Sequence, residues 1–514
     1  MLQRKNFAIT TVAAACVVLA SACYLRGEQP CAARVSIGQS SDVCGEGTTT
    51  GQAKSKPNIV FILVDDMGYG DPGCYNAESK IPTPHIDSLA REGMRFTDAH
   101  AAGPLCHVSR YGLLTGRYPF RVRVNWGRGP VIQAGDTTIA SMLKDQGYRT
   151  AMVGKWHLGF DEQNGYDQPL PGGPVDRGFD SFFGIRASTD IPPYFYIRND
   201  QAVEPPTKDV AANHTDGWTN IQGAFWRAGK IAPNLKLKDV LPRFTDEAVT
   251  VIQDHAEEQS SATEKRPLFL YLAYPAPHTP WLPADEFADV SGAGMYGDFA
   301  AMLDTMLGHV LAELAAHDMA DDTVVLFSSD NGPVWYDDDV NRLGHDSSGG
   351  LRGMKADAWE GGHRMPFIVR WPGNVAPGSV SDQLIGFTDV MATLATISGA
   401  QLPGDAGPDS IDFSPVLLGT SADKPLRKSL VVQSGNGMMT IREGKWKLIN
   451  ALGSGGFSQP KRVQPGPNDP AGQLYDLSQD LGETQNLYTE RPDVVERMLR
   501  QLESVTAEDG RSKR

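Results

Sequence analysis

The fold is decided by one stretch, Asn58-Ile59-Val60-Phe61-Ile62-Leu63-Val64, which is followed at once by Asp65-Asp66. After Asn58 the run is apolar without alternation, which is typical of a strand buried on both faces, as in a parallel sheet. Leu268–Tyr274 and Thr323–Ser329 are further apolar strand-like runs. The sequence therefore predicts an α/β fold built on a large, mostly parallel sheet.

Helical segments alternate with these strands, which indicates a doubly wound sheet with helices on both faces. Residues 160–240 are rich in Gly, Pro and aromatics with weak periodicity, and we interpret them as long loops that carry specificity. The predicted helices are Pro84–Arg91 with Thr83 as N-cap, Asp136–Gln146 with Asp136 as N-cap, Tyr296–His317, and a helix capped by Thr388 that ends near Ser398.

The character of the chain changes after Pro425, where short hairpin-like strands replace the long apolar runs. Leu430–Gln433, Met438–Arg442 and Lys445–Asn450 are predicted strands, and Pro492–Leu502 is a predicted closing helix. We therefore predict four segments: a signal peptide over 1–22, a polar tether over 23–55, a main domain over 56–425, and a small C-terminal α+β subdomain over 426–514.

The N-terminus has the pattern of an export signal. Arg4 and Lys5 precede the apolar run Phe7–Leu19, and Ala20-Ser21-Ala22 is a small-residue cleavage site. Cys23 follows at once, so lipid attachment at Cys23 is an alternative to simple secretion. The sequence predicts an exported protein, periplasmic or extracellular, that is either soluble or lipid-anchored.

The net charge of −15 argues against nucleic acid as a partner, because phosphate binding needs a basic surface. It leaves open an anionic substrate, since a local cluster of cations can reverse the sign inside one pocket. Cys31 and Cys44 are able to pair in an oxidising compartment, and so are Cys74 and Cys106. No Cys/His spacing indicates structural zinc.

Two acidic pairs each follow a buried strand: Asp65-Asp66 and Asp330-Asn331. Ligands of open α/β sheets bind at the carboxyl ends of the strands, so we expect both pairs to meet at one edge. Oxygen donors without His or Cys favour a hard cation, Ca²⁺ or else Mg²⁺. The plainer alternative is that each Asp caps a helix.

Cationic and imidazole side chains follow other strands or lie in nearby loops. Lys155 and His157 follow one strand, His278 follows another, and Lys355 lies in a Gly-rich loop. Together they would supply anion contacts and a general acid and base. Taken singly, each is more simply explained as an ordinary polar loop residue.

Cys106 and Arg110 stand four positions apart, in Pro104–Arg117. If Val108–Thr115 form a helix, Cys106 lies at its N-terminus and Arg110 on the same face. A nucleophile beside a guanidinium at a positive helix end suits attack on a sulfate or phosphate ester. A buried structural Cys near a surface Arg is the alternative.

The chain resembles the type I sulfatase family, formylglycine-dependent enzymes of the alkaline phosphatase superfamily. The resemblance covers residues 57 to about 490 and is greatest to arylsulfatase and N-acetylgalactosamine-6-sulfatase-like members. It rests on motifs in the family's order: Cys106–Arg117, Gly147–His157, Val64–Asp71, Ala276–Trp281, Ser329–Gly332, Leu351–Lys355, Glu360–Pro366, Gly444–Leu448 and Leu474–Leu477.

The resemblance implies an alkaline-phosphatase-like fold and a sulfuric ester hydrolase. It implies that a separate maturing enzyme oxidises Cys106 to Cα-formylglycine, whose hydrate attacks sulfur, and that the substrate is a sulfated small molecule or glycan. The implied calcium ligands are Asp65, Asp66, Cys106, Asp330 and Asn331. The implied roles of the remaining residues are sulfate binding by Arg110, Lys155 and Lys355, proton donation by His278 and proton acceptance by His157.

One position departs from the family pattern, since Val108 stands where the pattern has Pro or sometimes Ala. Two alternatives remain open at this point: a phosphoesterase on the same scaffold, and a non-catalytic homologue that binds sulfated glycan. A Cys-based phosphatase is disfavoured because that chemistry needs Cys-x₅-Arg, whereas this chain has Cys-x₃-Arg.

Overall fold

The structure is a computed structural model that describes residues 56–507, except 123, 125, 126, 128 and 421–423. The predicted signal peptide, the tether, Cys23 and the Cys31–Cys44 pair lie outside the described residues. The described part forms one compact unit, so the boundary near residue 425 stays a prediction.

The strands of the described residues, in chain order, are β1 (Asn58–Asp65), β2 (Met94–Phe96), β3 (Ala99–His100), β4 (Arg149–Lys155), β5 (Ser181–Ile185), β6 (Ile197–Arg198), β7 (Gln201–Ala202), β8 (Lys208–Val210), β9 (Gly229–Ile231), β10 (Leu268–Pro277), β11 (Thr323–Ser329), β12 (Phe367–Arg370), β13 (Ser379–Ser381), β14 (Ile385–Gly386), β15 (Leu430–Gln433), β16 (Met439–Glu443), β17 (Trp446–Ile449) and β18 (Gln473–Asp476).

The α-helices of the same residues are α1 (Pro84–Glu92), α2 (Cys106–Thr115), α3 (Ile139–Asp145), α4 (Val240–Ser261), α5 (Gly294–Ala316), α6 (Asp337–Leu343), α7 (Glu360–His363), α8 (Asp389–Ser398), α9 (Ser414–Leu417) and α10 (Pro492–Ala507).

The large sheet has ten strands in the order β13-β2-β12-β11-β1-β10-β4-β5-β6-β7. Its centre, β11-β1-β10-β4-β5, is parallel throughout, with β1 between β11 and β10. The predicted fold class is therefore confirmed. The edges depart from it, because β12 is antiparallel to β11 and β6 is antiparallel to β5.

Both faces of β1 are buried, as the apolar run predicts. Ile59, Phe61 and Leu63 pack in the core on one face of the sheet, and the alternate residues of β1 pack in the core on the other. The second core includes residues of α4 and α5. Helix α5 is apolar and long enough to span a membrane, but 56% of that apolar window is buried against the rest of the fold.

The C-terminal residues form a second sheet, antiparallel, in the order β15-β16-β17-β18. Val494, Met498 and Leu502 of α10 pack against its apolar face. Strands β15, β16 and β17 lie within a residue or so of those predicted, whereas β18 was not predicted. Helix α10 extends past the predicted end at Leu502 to Ala507.

Two predicted helix boundaries are wrong, and one alternative that the sequence left open is excluded. Asp136 does not cap a helix; α3 begins after Thr138, whose hydroxyl accepts from the Ser141 amide at 3.0 Å. Helix α2 begins at Cys106, two residues before the predicted start. Cys74 and Cys106 are free, so the disulfide that the sequence left open is absent between these two described residues.

Candidate active site

The two acidic pairs meet because β1 and β11 are parallel neighbours that end at the same edge. The Asn331 amide Nδ2 donates to Asp66 Oδ1 at 2.6 Å, although the two residues are 265 positions apart. The Asp66 main-chain N–H points at Asp330 Oδ1 at 3.4 Å. Asp65, Asp66, Asp330 and Asn331 are all buried. The predicted clustering of these four side chains is what the structure shows.

Each of the three carboxylates has its own cationic partner. Lys155 Nζ donates to Asp65 Oδ2. Lys355 Nζ donates to Asp66 at 2.6 and 2.9 Å. Arg110 donates to Asp330 Oδ2 from Nε at 2.9 Å, and its Nη2 lies 2.8 Å from the same oxygen. The three cations that the sequence places near strand ends and in α2 therefore converge on the acidic cluster.

Cys106 lies beside this cluster as the first residue of α2. It is 5% exposed, and its Sγ lies within 4.8 Å of carboxylate oxygens of both Asp65 and Asp330. Arg110, one helical turn later, reaches Asp330 on the same side. Its Nη1 also donates to the main-chain oxygen of Lys155 at 2.9 Å. The Cys-x₃-Arg spacing thus brings thiol and guanidinium to one point at the strand ends.

The electrostatics of the cluster favour additional positive charge. Burial opposes ionisation of Asp65, but the Lys155 ammonium outweighs it and holds the Asp65 pKa at about 2. Burial and the charge on Asp65 raise the pKa of Asp330 well above its usual value, against the pull of Arg110. A further cation between these carboxylates would relieve their repulsion.

The site fits a hard cation. Asp65 Oδ1 and Asn331 Oδ1 are buried acceptors, and no hydrogen-bond donor reaches either atom from the described residues. Orphaned buried oxygens of this kind are costly unless a ligand satisfies them. Carboxylate and amide oxygens are the donors that Ca²⁺ and Mg²⁺ prefer.

His278 follows β10 and faces the cluster from one side. Its Nδ1 lies 2.6 Å from the Thr279 carbonyl oxygen, which accepts only, so Nδ1 carries the proton of that hydrogen bond. Its Nε2 is then the atom turned to the site, 3.6 Å from Asp66 Oδ2. The backbone therefore fixes which nitrogen is presented.

His157 lies on the side of Cys106, two residues past the end of β4. It has a left-handed backbone with φ of +57°, and its N–H donates to the Arg186 carbonyl at 3.0 Å. Burial lowers the pKa of its imidazole to about 3. Burial therefore keeps the imidazole beside residue 106 neutral, with one ring nitrogen unprotonated.

Two residues near the site were not predicted. His107 brings its ring 5.8 Å from that of His157, measured between centroids. Asp190 pairs with Arg227, and its Oδ1 lies 4.0 Å from His278 Nδ1. His107 was visible as a polar residue beside Cys106. Asp190 lies in the aperiodic 160–240 segment, which gave no signal.

Of the arginines at positions 121, 123 and 128, which follow α2, the structure describes only Arg121. Arg121 pairs with Asp409 at 2.6 Å, and both side chains are buried, so Arg121 does not lie on a solvated surface. Arg123 and Arg128 lie outside the described residues.

The chain matches the sulfatase family model over residues 57–400. It is 36% identical to an N-acetylgalactosamine-6-O-sulfatase of Bacteroides thetaiotaomicron, over 88% of this chain and 94% of that protein. It is 34% identical to human arylsulfatase A, over 84% of this chain and 83% of that protein.

A solved structure from work on the metabolism of multiple glycosaminoglycans by B. thetaiotaomicron superposes with a TM-score of 0.76 at 34% identity, covering 88% of this chain and 99% of that one. The family match spans more than half of the chain, and the relatives are aligned over most of their length. This chain therefore belongs to the sulfatase family and is a hydrolase of sulfate esters.

Proposed function

We propose that this sulfatase removes sulfate from a sulfated carbohydrate, using Cα-formylglycine made from Cys106 and a Ca²⁺ ion at the strand-end site. Family membership implies formylglycine and a divalent cation. The observation that supports their assignment here is the convergence of three carboxylates, one amide and three cations on residue 106.

The cation would be held by Asp65, Asp66, Asp330 and Asn331, together with residue 106. The two orphaned oxygens, Asp65 Oδ1 and Asn331 Oδ1, are the atoms this assignment satisfies. An oxygen-only donor set favours Ca²⁺, with Mg²⁺ as the alternative. When bound, the cation supplies Lewis-acid polarisation and offsets the charge of the carboxylates.

Arg110, Lys155 and Lys355 would bind the sulfate oxygens. Their charged groups are buried and already fixed by carboxylates, so little reorganisation is needed when negative charge develops on the substrate. Formylglycine, as its hydrate, supplies an oxygen nucleophile in place of the thiol.

The two histidines would divide the proton transfers. His278 presents Nε2 to the site and, as an imidazolium with a proton on each nitrogen, would give the Nε2 proton to the leaving alcohol. His157 lies beside residue 106 and is neutral, so it would take a proton from that residue when sulfate is released. This division follows from their neighbours, since His278 lies near Asp66 and His157 lies near Cys106.

The substrate class follows from the relatives. The N-acetylgalactosamine-6-O-sulfatase relative makes 6-O-sulfated N-acetylgalactosamine the first compound to test. We propose a sulfated polysaccharide, or oligosaccharides derived from it, as the natural substrate.

The direct test is a panel of sulfated mono- and oligosaccharides, with release of inorganic sulfate measured by ion chromatography. An aryl sulfate and the matching aryl phosphate are assayed in parallel. Sulfate release with little phosphate release supports the proposal. Faster turnover of the phosphate ester would instead indicate a phosphoesterase, and no turnover of any ester would indicate a non-catalytic glycan-binding homologue.

Conversion of Cys106 is proposed to depend on a separate formylglycine-generating enzyme. Val108 stands where the motif has Pro, and a β-branched residue also accepts the extended backbone of an unfolded segment. We expect at least part of Cys106 to be formylglycine in the native host. Mass spectrometry of the peptide across Arg110 checks this, and a wholly unmodified thiol would contradict it.

Export is proposed from residues 1–22, with either release as a soluble protein or lipid attachment at Cys23. Cell fractionation of the full chain and of Cys23→Ser separates these outcomes. Membrane association that depends on Cys23 supports the anchor. Release of both forms supports simple secretion, and retention of both in the cytoplasm contradicts export.

A further inference from the structure

A second group of metal-ligating side chains shares Cys106 with the acidic group but contains no carboxylate. Cys106 Sγ and ring nitrogens of His107 and His157 all lie within 4.8 Å of one another. Cys106 and His157 are buried, and His107 is half-buried. This group could not be predicted from sequence, because His157 lies 51 positions after Cys106 and meets it only in the folded chain.

The donors of this group differ in kind from those of the oxygen cluster. One thiolate and two imidazoles are the ligands that Zn²⁺ selects, whereas Ca²⁺ prefers oxygen. With Zn–S near 2.3 Å and Zn–N near 2.0 Å, tetrahedral ligand atoms stand roughly 3.5 Å apart. The ligand atoms seen here are at most 4.8 Å apart. Small side-chain rotations would bring them to the tetrahedral separation.

We propose that the form of this protein in which Cys106 remains a thiol binds one zinc ion between Cys106, His107 and His157, with a fourth position open to water. The site is distinct from the proposed calcium site in two of its three ligands. Conversion to formylglycine removes the thiolate, so zinc binding of this kind belongs to the unconverted protein alone. The inference does not require sulfate hydrolysis.

The lysines near Cys106 do not prevent a second type of cation from binding there. Lys155 and Lys355 lie near Cys106, but each is already paired with a carboxylate, Asp65 and Asp66 respectively. Cys106 also contributes to the group formed with Asp65 and Asp330. Zinc and a hard cation would therefore share residue 106 and compete for it.

His107 is the residue that makes the site. His157 and Cys106 alone offer two ligands, which is too few for a stable zinc centre. His107 adds the third from the first turn of α2, adjacent in sequence to Cys106. Its half-buried ring also leaves a path by which the ion enters.

The test uses the full chain produced without a formylglycine-generating enzyme, with the thiol verified by mass spectrometry. Co²⁺ replaces Zn²⁺ as a coloured probe, because thiolate ligation gives a sulfur-to-cobalt charge-transfer band in the near ultraviolet. Zn²⁺ affinity is measured by calorimetry. We expect one bound ion per chain, with the thiolate band, in the wild-type protein.

Three variants separate this site from its neighbours. His107→Ala should weaken zinc binding by at least about tenfold, since loss of even an outer partner of a metal ligand costs that much. Cys106→Ser should abolish the thiolate band. His214→Ala, which removes an exposed histidine far along the chain, should change neither measurement.

Absence of a thiolate band in the wild-type thiol form would overturn the inference. So would an unchanged zinc affinity in His107→Ala, because the ion would then sit on Asp65, Cys106 and Asp330. Thermal melts of each variant exclude unfolding as the cause. Sulfate release by the converted protein is measured separately, so failure of this inference and failure of the proposed function are distinguishable.

Discussion

At the scale of single residues, each of the three buried carboxylates of the site is paired with a cationic side chain. Asp66 shows this best, since its carboxylate accepts from both Lys355 and Asn331. It also has a left-handed backbone, with φ of +64°, which is costly for a residue other than glycine. Such strain at a chain turn, held by several hydrogen bonds, is typical of a functional position.

Lys355→Ala should lower kcat on an aryl sulfate by about 10²–10³-fold, the usual loss when one group that stabilises transition-state charge is removed. The reason is that the Lys355 ammonium lies at Asp66 beside residue 106, where sulfate charge develops. Steady-state kinetics of the converted protein measure the effect.

Lys144→Ala is the matched control, because Lys144 is half-exposed and pairs with Asp180 at 2.8 Å on the surface. Its kcat should stay within a factor of two or so of wild type, as surface ion pairs contribute little. Equal activity of Lys355→Ala and Lys144→Ala would remove Lys355 from the site.

Which site residues the sequence could predict depends on where they lie. Asp65 and Asp330 were predictable because parallel strands end at one edge of a sheet. Asp190 was not, since it lies in the loop-rich segment and reaches His278 only through tertiary folding. The nitrogen that His278 presents was also beyond prediction, because the Thr279 carbonyl fixes it.

At the scale of elements, the start of α1 at Pro84 was predicted correctly, but the side chain that caps it was not. Thr83 precedes α1 but makes no side-chain cap. Asp304 of α5 caps α1 instead, accepting from the amides of Ile86 at 2.8 Å and His85 at 3.1 Å. A cap supplied from another helix leaves no local pattern in the sequence.

Among the elements that were not predicted, β5 and α4 were missed for different reasons. Strand β5 is five residues long and pairs in parallel with β4, a contact that local sequence does not specify. Helix α4 did carry a signal, since Val240, Phe244, Ala248 and Ile252 repeat every four residues and are buried. That signal begins where the loop-rich segment ends, and it was not recognised.

The turn after β1 is held from behind by α5. The Tyr296 hydroxyl lies 3.1 Å from the Asp66 carbonyl oxygen and donates to Asp71 Oδ2. Asp71 also accepts from the Gly68 amide at 2.6 Å and contacts His345 Nε2 at 2.8 Å. This network fixes the turn that carries Asp66, one of the proposed cation ligands.

Tyr296→Phe should therefore weaken Ca²⁺ binding by about 10–100-fold, as is usual for a lost outer partner of a ligand. Calorimetry gives the affinity directly. Tyr274→Phe is the control, because the Tyr274 hydroxyl is also buried but bonds Thr245 away from the site, at 2.9 Å. Equal Ca²⁺ affinity in the two variants would contradict the assigned role.

At the scale of the whole molecule, the C-terminal sheet is joined to the main fold by a buried ion network. Lys447 of β17 lies 3.0 Å from Glu360 and 2.9 Å from Glu483. Arg442 of β16 contacts Glu360 at 2.8 Å and Asp98 at 3.0 Å. Glu360 begins α7, five residues after Lys355, so the network also anchors the segment that carries that lysine.

Lys447→Met should destabilise the protein by about 3–5 kcal/mol, because it removes the buried cation that pairs with Glu483 and one of the two that pair with Glu360. Chemical denaturation measures the free energy of unfolding. Lys445→Met is the neighbouring control: its side chain is 50% exposed and pairs with Asp476 near the surface. That variant should lose no more than about 1 kcal/mol. If Lys447→Met also loses no more than about 1 kcal/mol, the buried network adds no measurable stability.

The most direct test of the central claim is sulfate release by the full chain produced together with a formylglycine-generating enzyme, comparing wild type with Cys106→Ala. The substrates are 6-O-sulfated N-acetylgalactosamine and an aryl sulfate. We predict that the wild-type protein releases sulfate and that the folded variant releases none. Sulfate release by Cys106→Ala at the wild-type rate would contradict the assignment of residue 106 as the source of the nucleophile.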